Sequence, residues 1–204
     1  MVGPLSLKMS NFSTTQDHES TGISNQKLAM WLFLSSEVVF FAALISIYLF
    51  YKRLFALGDL TPEGLFDIPF TSVTSFVLLM SSLTMVLSHN YYEIKDYEKS
   101  KIWIFATAFL GTVFVSGQIY EYTEFIQSGL TISSSIFGTA FFFVTGIHGL
   151  HVVIGVVLLI ATGSQMGISN SNRIYSLSIE SLALYWHCID IVWIVIFTAV
   201  YLIP

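Results

Sequence analysis

The sequence predicts an all-α integral membrane bundle of five transmembrane helices. Three observations carry this prediction. Of 204 residues, 54% are hydrophobic and only 10% are charged, where a soluble domain carries about 25% charged residues. The mean hydropathy is +0.75. The few charges fall between long apolar runs, and those runs are continuous. A membrane barrel would alternate apolar and polar positions instead, and lipid gives the backbone of any other span no hydrogen-bond partner outside a helix. Disorder, collagen and coiled coil need charge or a simple repeat that is absent here. A net charge of −5, mixed in position, leaves no footprint for a nucleic-acid partner. The single cysteine, Cys188, excludes an intramolecular disulfide and a thiolate metal cluster.

A membrane helix needs about 20 mostly apolar residues. Residues 1–26 are rich in Ser, Thr, Asn and Gln and contain no apolar core of a signal peptide. They are expected to form a polar, disordered tail before a membrane domain over 27–204. The first span, 28–51, contains one charge, Glu37. Residues 52–69, with Gly58, Pro62 and Gly64, read as the longest connection. The second span, 70–91, is uncharged. EIKDYEK, residues 93–99, reads as a solvated loop, and the third span, 102–123, carries Glu121 near its end. QSGLTISSS and TGSQMGISNSN read as loops around a fourth span at 136–161. That span is thinned by Gly146, Gly149 and Gly155, which allows close packing. The fifth span, 181–203, contains only Asp190 as a formal charge.

Lys and Arg set the orientation. With the N-terminus inside, the inner segments hold Lys8, Lys27, Lys95, Lys99, Lys101 and Arg173, and the outer segments hold only Lys52 and Arg53. The six-to-two bias predicts a cytoplasmic N-terminus and an outer C-terminus.

Ionisable groups inside spans are costly and are functional by default. They are Glu37, Glu121, His148, His151, His187 and Asp190. At about 1.5 Å per helical residue, Glu37, His187 and Asp190 lie roughly 9–13 Å from the inner end of their spans. His148 and His151, and likewise His187 and Asp190, are three apart and share a helix face. Trp186 and Trp193 lie two turns apart on the fifth span. The residues leave three readings open: a metal site, a proton relay, or buried polar pairs that fix helix register. The metal reading is weakened because no Glu-x-x-His pattern follows Glu37. No Lys or Arg lies deep in a span to pair with Glu37, so its partners are expected among the histidines and the hydroxyls of Ser35 and Ser36. The Phe runs at 40–41 and 141–143 read as lipid- or partner-facing bulk. Trp31, Trp103, Tyr91, Tyr92, Tyr120 and Tyr122 read as interfacial anchors.

Four strings resemble subunit III of the haem-copper cytochrome oxidases. They are LSSEVVFFAA at 34–43, SGQIYEYTEF at 116–125, GTAFFFVTGIHGLHVVIG at 138–155 and YWHCIDIVWIVIFTAVYL at 185–202. The resemblance covers residues 28–203 in order and spacing, in the short five-helix bacterial form that lacks two leading helices. Ile147 and Cys188 stand where aromatic residues are common in that family. The resemblance implies a non-catalytic subunit of a proton-pumping cytochrome c oxidase in a bacterial cytoplasmic membrane. No cofactor or metal is expected in this chain; haem and copper belong to partner subunits I and II. Bound phospholipid is compatible with the family, although the two absent helices form one wall of its lipid cleft. It also implies partnership with cytochrome c or a quinol at the level of the complex, and a respiratory supercomplex as a further partner. An apolar residue before His148 and Leu150 before His151 point to the cytochrome c type over the quinol type. The resemblance shifts the metal reading aside. Glu37, His148 and His151 become proton-antenna or lipid-contact residues, and Glu121, Trp186, His187, Asp190 and Trp193 become inter-helix structural residues.

Overall fold

The computed structural model describes residues 25–56, 67–133, 135–166 and 172–203. The described residues are helical throughout apart from short turns: α1 Asn25–Ala56, α2 Ile68–Glu93, α3 Tyr97–Gln127, α4 Ile136–Gln165 and α5 Asn172–Phe197, which continues into a π-helical turn over Thr198–Leu202. All five helices are long and apolar enough to cross a membrane. The expected tail lies outside the described residues, except that Asn25 and Gln26 begin α1.

Each helix outruns its predicted span, because hydropathy marks the apolar segment and not the helix. Asp67 caps α2 by accepting from the Phe70 N–H at 3.1 Å, with Pro69 in the first turn. Ser135 caps α4 through the Gly138 N–H at 3.0 Å. The solvated loop expected over 93–99 shrinks to a tight turn. Asp96 caps α3 by accepting from the Lys99 N–H, and the Lys99 ammonium lies 2.7 Å from the same carboxylate. These bonds hold the Asp96 carboxyl below the ordinary aspartate range. Both α2 and α3 end in a Schellman pattern. Gly129 takes the left-handed position after α3 (φ 91°), but after α2 that position falls to Lys95 (φ 65°). A side chain there is strained where glycine is free. α1 runs to Ala56 and α4 to Gln165, so the expected connections at 52–69 and 162–172 are shorter than predicted; residues 57–66 and 167–171 lie outside the described residues.

The topology is up-and-down. α2, α3, α4 and α5 form a closed four-helix ring in which each packs on its neighbours, and α1 lies outside it, against the seam of α4 and α5. The ring closes because its helices are thin where they meet. Ser88 and Ser100 exchange hydroxyl-to-carbonyl hydrogen bonds at 3.0 and 2.9 Å between α2 and α3. The indole of Trp186, fully buried on α5, fills a slot walled by Gly111 of α3 and Gly155 of α4. A Cβ at Gly111 would lie 2.6 Å from the Trp186 ring, and one at Gly155 would lie 2.8 Å from it. Phe41, Phe141 and Phe142 are buried, contrary to the lipid-facing reading, while Phe40 and Phe143 are exposed. Tyr122 also turns inward: its hydroxyl lies 2.7 Å from Thr145 Oγ1 on α4.

The slot sets a test. Gly146 and Gly155 both lie on α4, so replacement by Ala brings the same intrinsic helix gain of about 0.5–1 kcal/mol. At Gly146 the new Cβ meets nothing closer than 3.6 Å, and Gly146→Ala is expected to be neutral or stabilising in a thermal melt. Gly155→Ala is expected to lose about 1–3 kcal/mol net, the usual cost of overpacking against a rigid ring.

Candidate functional site

The ionisable residues of the spans form separate groups, not the single cluster that their similar depths suggested. The first group lies on the α1–α4–α5 seam. Glu37 Oε2 approaches His151 Nε2 to 3.1 Å. The approach is not well aligned, so Oε2 completes no linear hydrogen bond. His151 Nδ1 lies 2.8 Å from the carbonyl oxygen of Ile147 one turn back. Ser35 and Ser36, expected as partners of Glu37, instead donate to the Trp31 and Phe33 carbonyls of their own helix. This back-bonding is the default for hydroxyls on a lipid-facing helix surface.

His148, one turn from His151, is fully buried. Its ring lies tilted over Trp193, with centroids 4.8 Å apart, and meets Phe114 edge-on at 6.0 Å. Nε2–H donates to the Ile189 carbonyl of α5 at 3.3 Å. His148 therefore ties α4 to α5, while the ring of His151 faces α1. Glu37, His148, His151, Tyr185 and Cys188 line a cavity of about 10 Å³, room for a single water at most and for no substrate. Among the described residues, no three His, Cys, Asp or Glu side chains converge as metal ligands.

The second group joins α5 to α2. Ser82 donates its hydroxyl proton to Asp190. With that proton spent, Ser82 Oγ accepts from His187 Nδ1–H at 3.0 Å. Trp186 Nε1–H donates to Ser81 Oγ at 2.9 Å, and Trp193 Nε1–H to Ser75 Oγ at 2.8 Å. Both of these serines pass their own protons to α2 carbonyls, Ser81 to Leu78 and Ser75 to Thr71. Trp186, His187, Asp190 and Trp193 of α5 thus all reach serines of α2.

The third group lies toward the opposite end. Thr71 of α2 donates to Glu121 of α3, and Tyr201 of the terminal π turn bonds the same carboxyl. Next to it, Gln118 Nε2 donates to the Thr145 carbonyl at 2.8 Å and joins α3 to α4.

Sequence reasoning missed the hydroxyl partners Thr71, Ser75, Ser81 and Ser82. A signal was available: Ser75 and Ser82, and Ser81 and Ser88, are seven apart on an uncharged span, matching the spacing of Trp186 and Trp193.

These groups and this ring define a multi-pass membrane bundle in which buried polar side chains join α2 to α5, α2 to α3 and α3 to α4. Residues 8–203 match the family described as Cytochrome c oxidase subunit III, and the chain belongs to that family. A probable quinol oxidase subunit 3 of Staphylococcus saprophyticus is 36% identical over 198 residues, covering 96% of this chain and 97% of its own. A cytochrome c oxidase subunit 3 of Bacillus sp. strain PS3 is 37% identical over 183 residues, covering 87% and 86%. The quinol oxidase subunit 3 of Bacillus subtilis is 34% identical over 175 residues, covering 86% and 85%.

Ser82→Ala removes the donor to a buried carboxylate and the acceptor of His187 in one change. It is expected to destabilise the bundle by about 1–3 kcal/mol. Ser72→Ala, on the exposed face of the same helix where the hydroxyl bonds only its own backbone, is expected to stay within about 0.5 kcal/mol of the parent. Unfolding in lipid nanodiscs measures both.

Proposed function

We propose that this chain is subunit III of a proton-pumping terminal oxidase of aerobic respiration: a non-catalytic subunit that stabilises subunit I and sustains its proton uptake. The match to the family over residues 8–203 is the observation that carries the reading. The geometry supports it, since Ser82, Ser81 and Ser75 of α2 bond side chains of α5 and the cavity on the α1–α4–α5 seam is too small for a substrate. Haem and copper are assigned to subunits I and II. Glu37, His148 and His151 are read as the proton-antenna or lipid-contact residues, and phospholipid as a bound partner. The membrane is read as a bacterial cytoplasmic membrane, with the N-terminus inside, on the bias of Lys and Arg between its two faces.

The electron donor is read as cytochrome c, from Ile147 and Leu150 before the two histidines. Quinol is the second reading, because the two quinol-named relatives above match at 36% and 34% identity, close to the 37% of the cytochrome c relative.

Affinity purification in mild detergent is expected to bring down a larger haem-bearing membrane protein with this chain. Oxidation of reduced cytochrome c or of a quinol by that complex identifies the donor. Glu37→Gln keeps volume and hydrogen-bonding capacity, so the variant is expected to assemble and to transfer electrons, with a change in proton uptake or in lifetime during turnover. A chain that purifies alone, stable and monodisperse, contradicts the proposal. Loss of all oxidase activity in a fully assembled Gln variant contradicts the auxiliary role.

A further inference from the structure

Outward-facing hydroxyls of the spans are satisfied by their own helices. Ser35, Ser46, Ser116 and Thr198 each donate to a carbonyl four residues back. His187 is different. Its Nδ1–H donates to Ser82 Oγ on α2, because the Ser82 proton goes to Asp190. Nε2 is then a lone-pair acceptor, and none of the described residues hydrogen-bonds it. Among the described residues, the buried side-chain polar atoms without a partner are Glu37 Oε2, the Tyr48 hydroxyl, His148 Nδ1 and Asp190 Oδ1. His187 is half-buried and its Nε2 is not one of these, so Nε2 lies at the surface of the bundle. That surface is inside the membrane. The fifth apolar span runs over Ile179–Leu202, and His187 is about 12 Å from its start at 1.5 Å per residue. Hydrocarbon offers no donor at that depth, and polar groups of spans face other protein or a water-filled cavity.

The surroundings of His187 fit a helix. On α5, Ile191 and Ile194, one and two turns further along, are exposed. On α2, Leu79 and Val86, within a turn of Ser82 on either side, are exposed as well. Helix α1 leaves this strip open. It packs on the α4–α5 seam, where Cys188, next to His187 in sequence, lines the small cavity together with Glu37. The outward strip of α5 therefore runs between α2 on one side and α1 on the other. We propose that this strip docks a transmembrane helix of another subunit of the oxidase, one that presents a hydrogen-bond donor to His187 Nε2. The docking helix is apolar around that donor, because the flanking side chains are apolar. Ser, Thr, Tyr or Trp supplies an O–H or N–H without bringing a formal charge into the membrane. A lipid does not fit, since its chains carry no donor and its headgroup lies beyond the end of the span. A second copy packed by the same strip would set acceptor against acceptor.

Such docking needs the larger complex of the proposed function and rests on that reading. The test uses the assembled oxidase in nanodiscs. A diazirine amino acid is placed at position 191 by codon suppression, and its adducts are identified by mass spectrometry after illumination. The expected adduct joins it to a transmembrane peptide of another subunit that carries Ser, Thr, Tyr or Trp. Two variants then test the acceptor. His187→Asn keeps an N–H within reach of Ser82 but has nothing in place of Nε2. That subunit is expected to dissociate from the variant complex in detergent about three- to tenfold faster. His187→Gln extends an amide oxygen to the place of Nε2 and is expected to restore retention. A purely internal role of His187, through Ser82, predicts the reverse order of the two variants and overturns the donor to Nε2, as does a His187→Asn complex that holds the subunit as the wild type does. Adducts with lipid alone in an intact oxidase, or with a second copy of this chain, overturn the docking strip and leave the proposed function standing. A chain with which no other subunit purifies overturns both.

Discussion

Trp186 is the point on which the bundle depends. Its indole occupies the slot left by Gly111 on α3 and Gly155 on α4, and its N–H reaches Ser81 on α2. One side chain of α5 therefore registers all three other ring helices. In water such a contact would be supplemented by the hydrophobic effect. In lipid that force is absent between helices, and close packing plus inter-helix hydrogen bonds remain. The polar residues of α5 are matched to α2 by donor and acceptor character. The indoles of Trp186 and Trp193 only donate, and they meet Ser81 and Ser75, whose own protons are already committed to backbone carbonyls. Asp190 accepts, and it meets Ser82, whose proton is free to be given. Similar serines thus serve opposite roles, according to where their hydroxyl hydrogen points.

The ring accounts for stability and α1 for exposure. Four helices close on one another, while α1 presents most of its surface outward and is held by a thin seam with polar contacts. The groups at its middle depth, Glu37 and His151, are half-buried at the seam, whereas His148 next to them is sealed inside. The proposed role in a larger membrane complex calls for a packed body and a surface that meets lipid or a neighbour, and the ring and the outer helix divide along those lines.

Much of this was legible in the sequence. Five apolar runs between sparse charges located the helices, since any span must be helical in lipid. Helix ends were not legible from hydropathy, because the helices continue past the apolar segment: α1 adds Lys52 and Arg53, and Asp96 starts α3 inside a run that reads as a loop. Residue type and spacing exposed Glu37, His148, His151, His187 and Asp190, but not their grouping. Depth is one coordinate, and the rotation of each helix about its axis is another. Rotation sends His187 and Asp190 to α2 and Glu37 to α4. Serines and threonines of an uncharged span look inert in sequence, so Ser81, Ser82 and Thr71 went unmarked. Phe141 and Phe142 misled for the same reason: an apolar residue suits lipid and core equally.

The account rests on the claim that polar contacts to α5 carry stability in the bundle. A double-mutant cycle on Trp186 and Ser81 measures it directly. Trp186→Phe, Ser81→Ala and the double variant are unfolded in the same lipid nanodiscs, and the coupling is read from the difference. The expected result is a favourable coupling between about 0.6 kcal/mol, the average for inter-helix hydrogen bonds in membranes, and about 1.7 kcal/mol, the largest measured. Changes that simply add, with coupling within about 0.3 kcal/mol of zero, would show that the indole acts only by filling its slot and would contradict the claim.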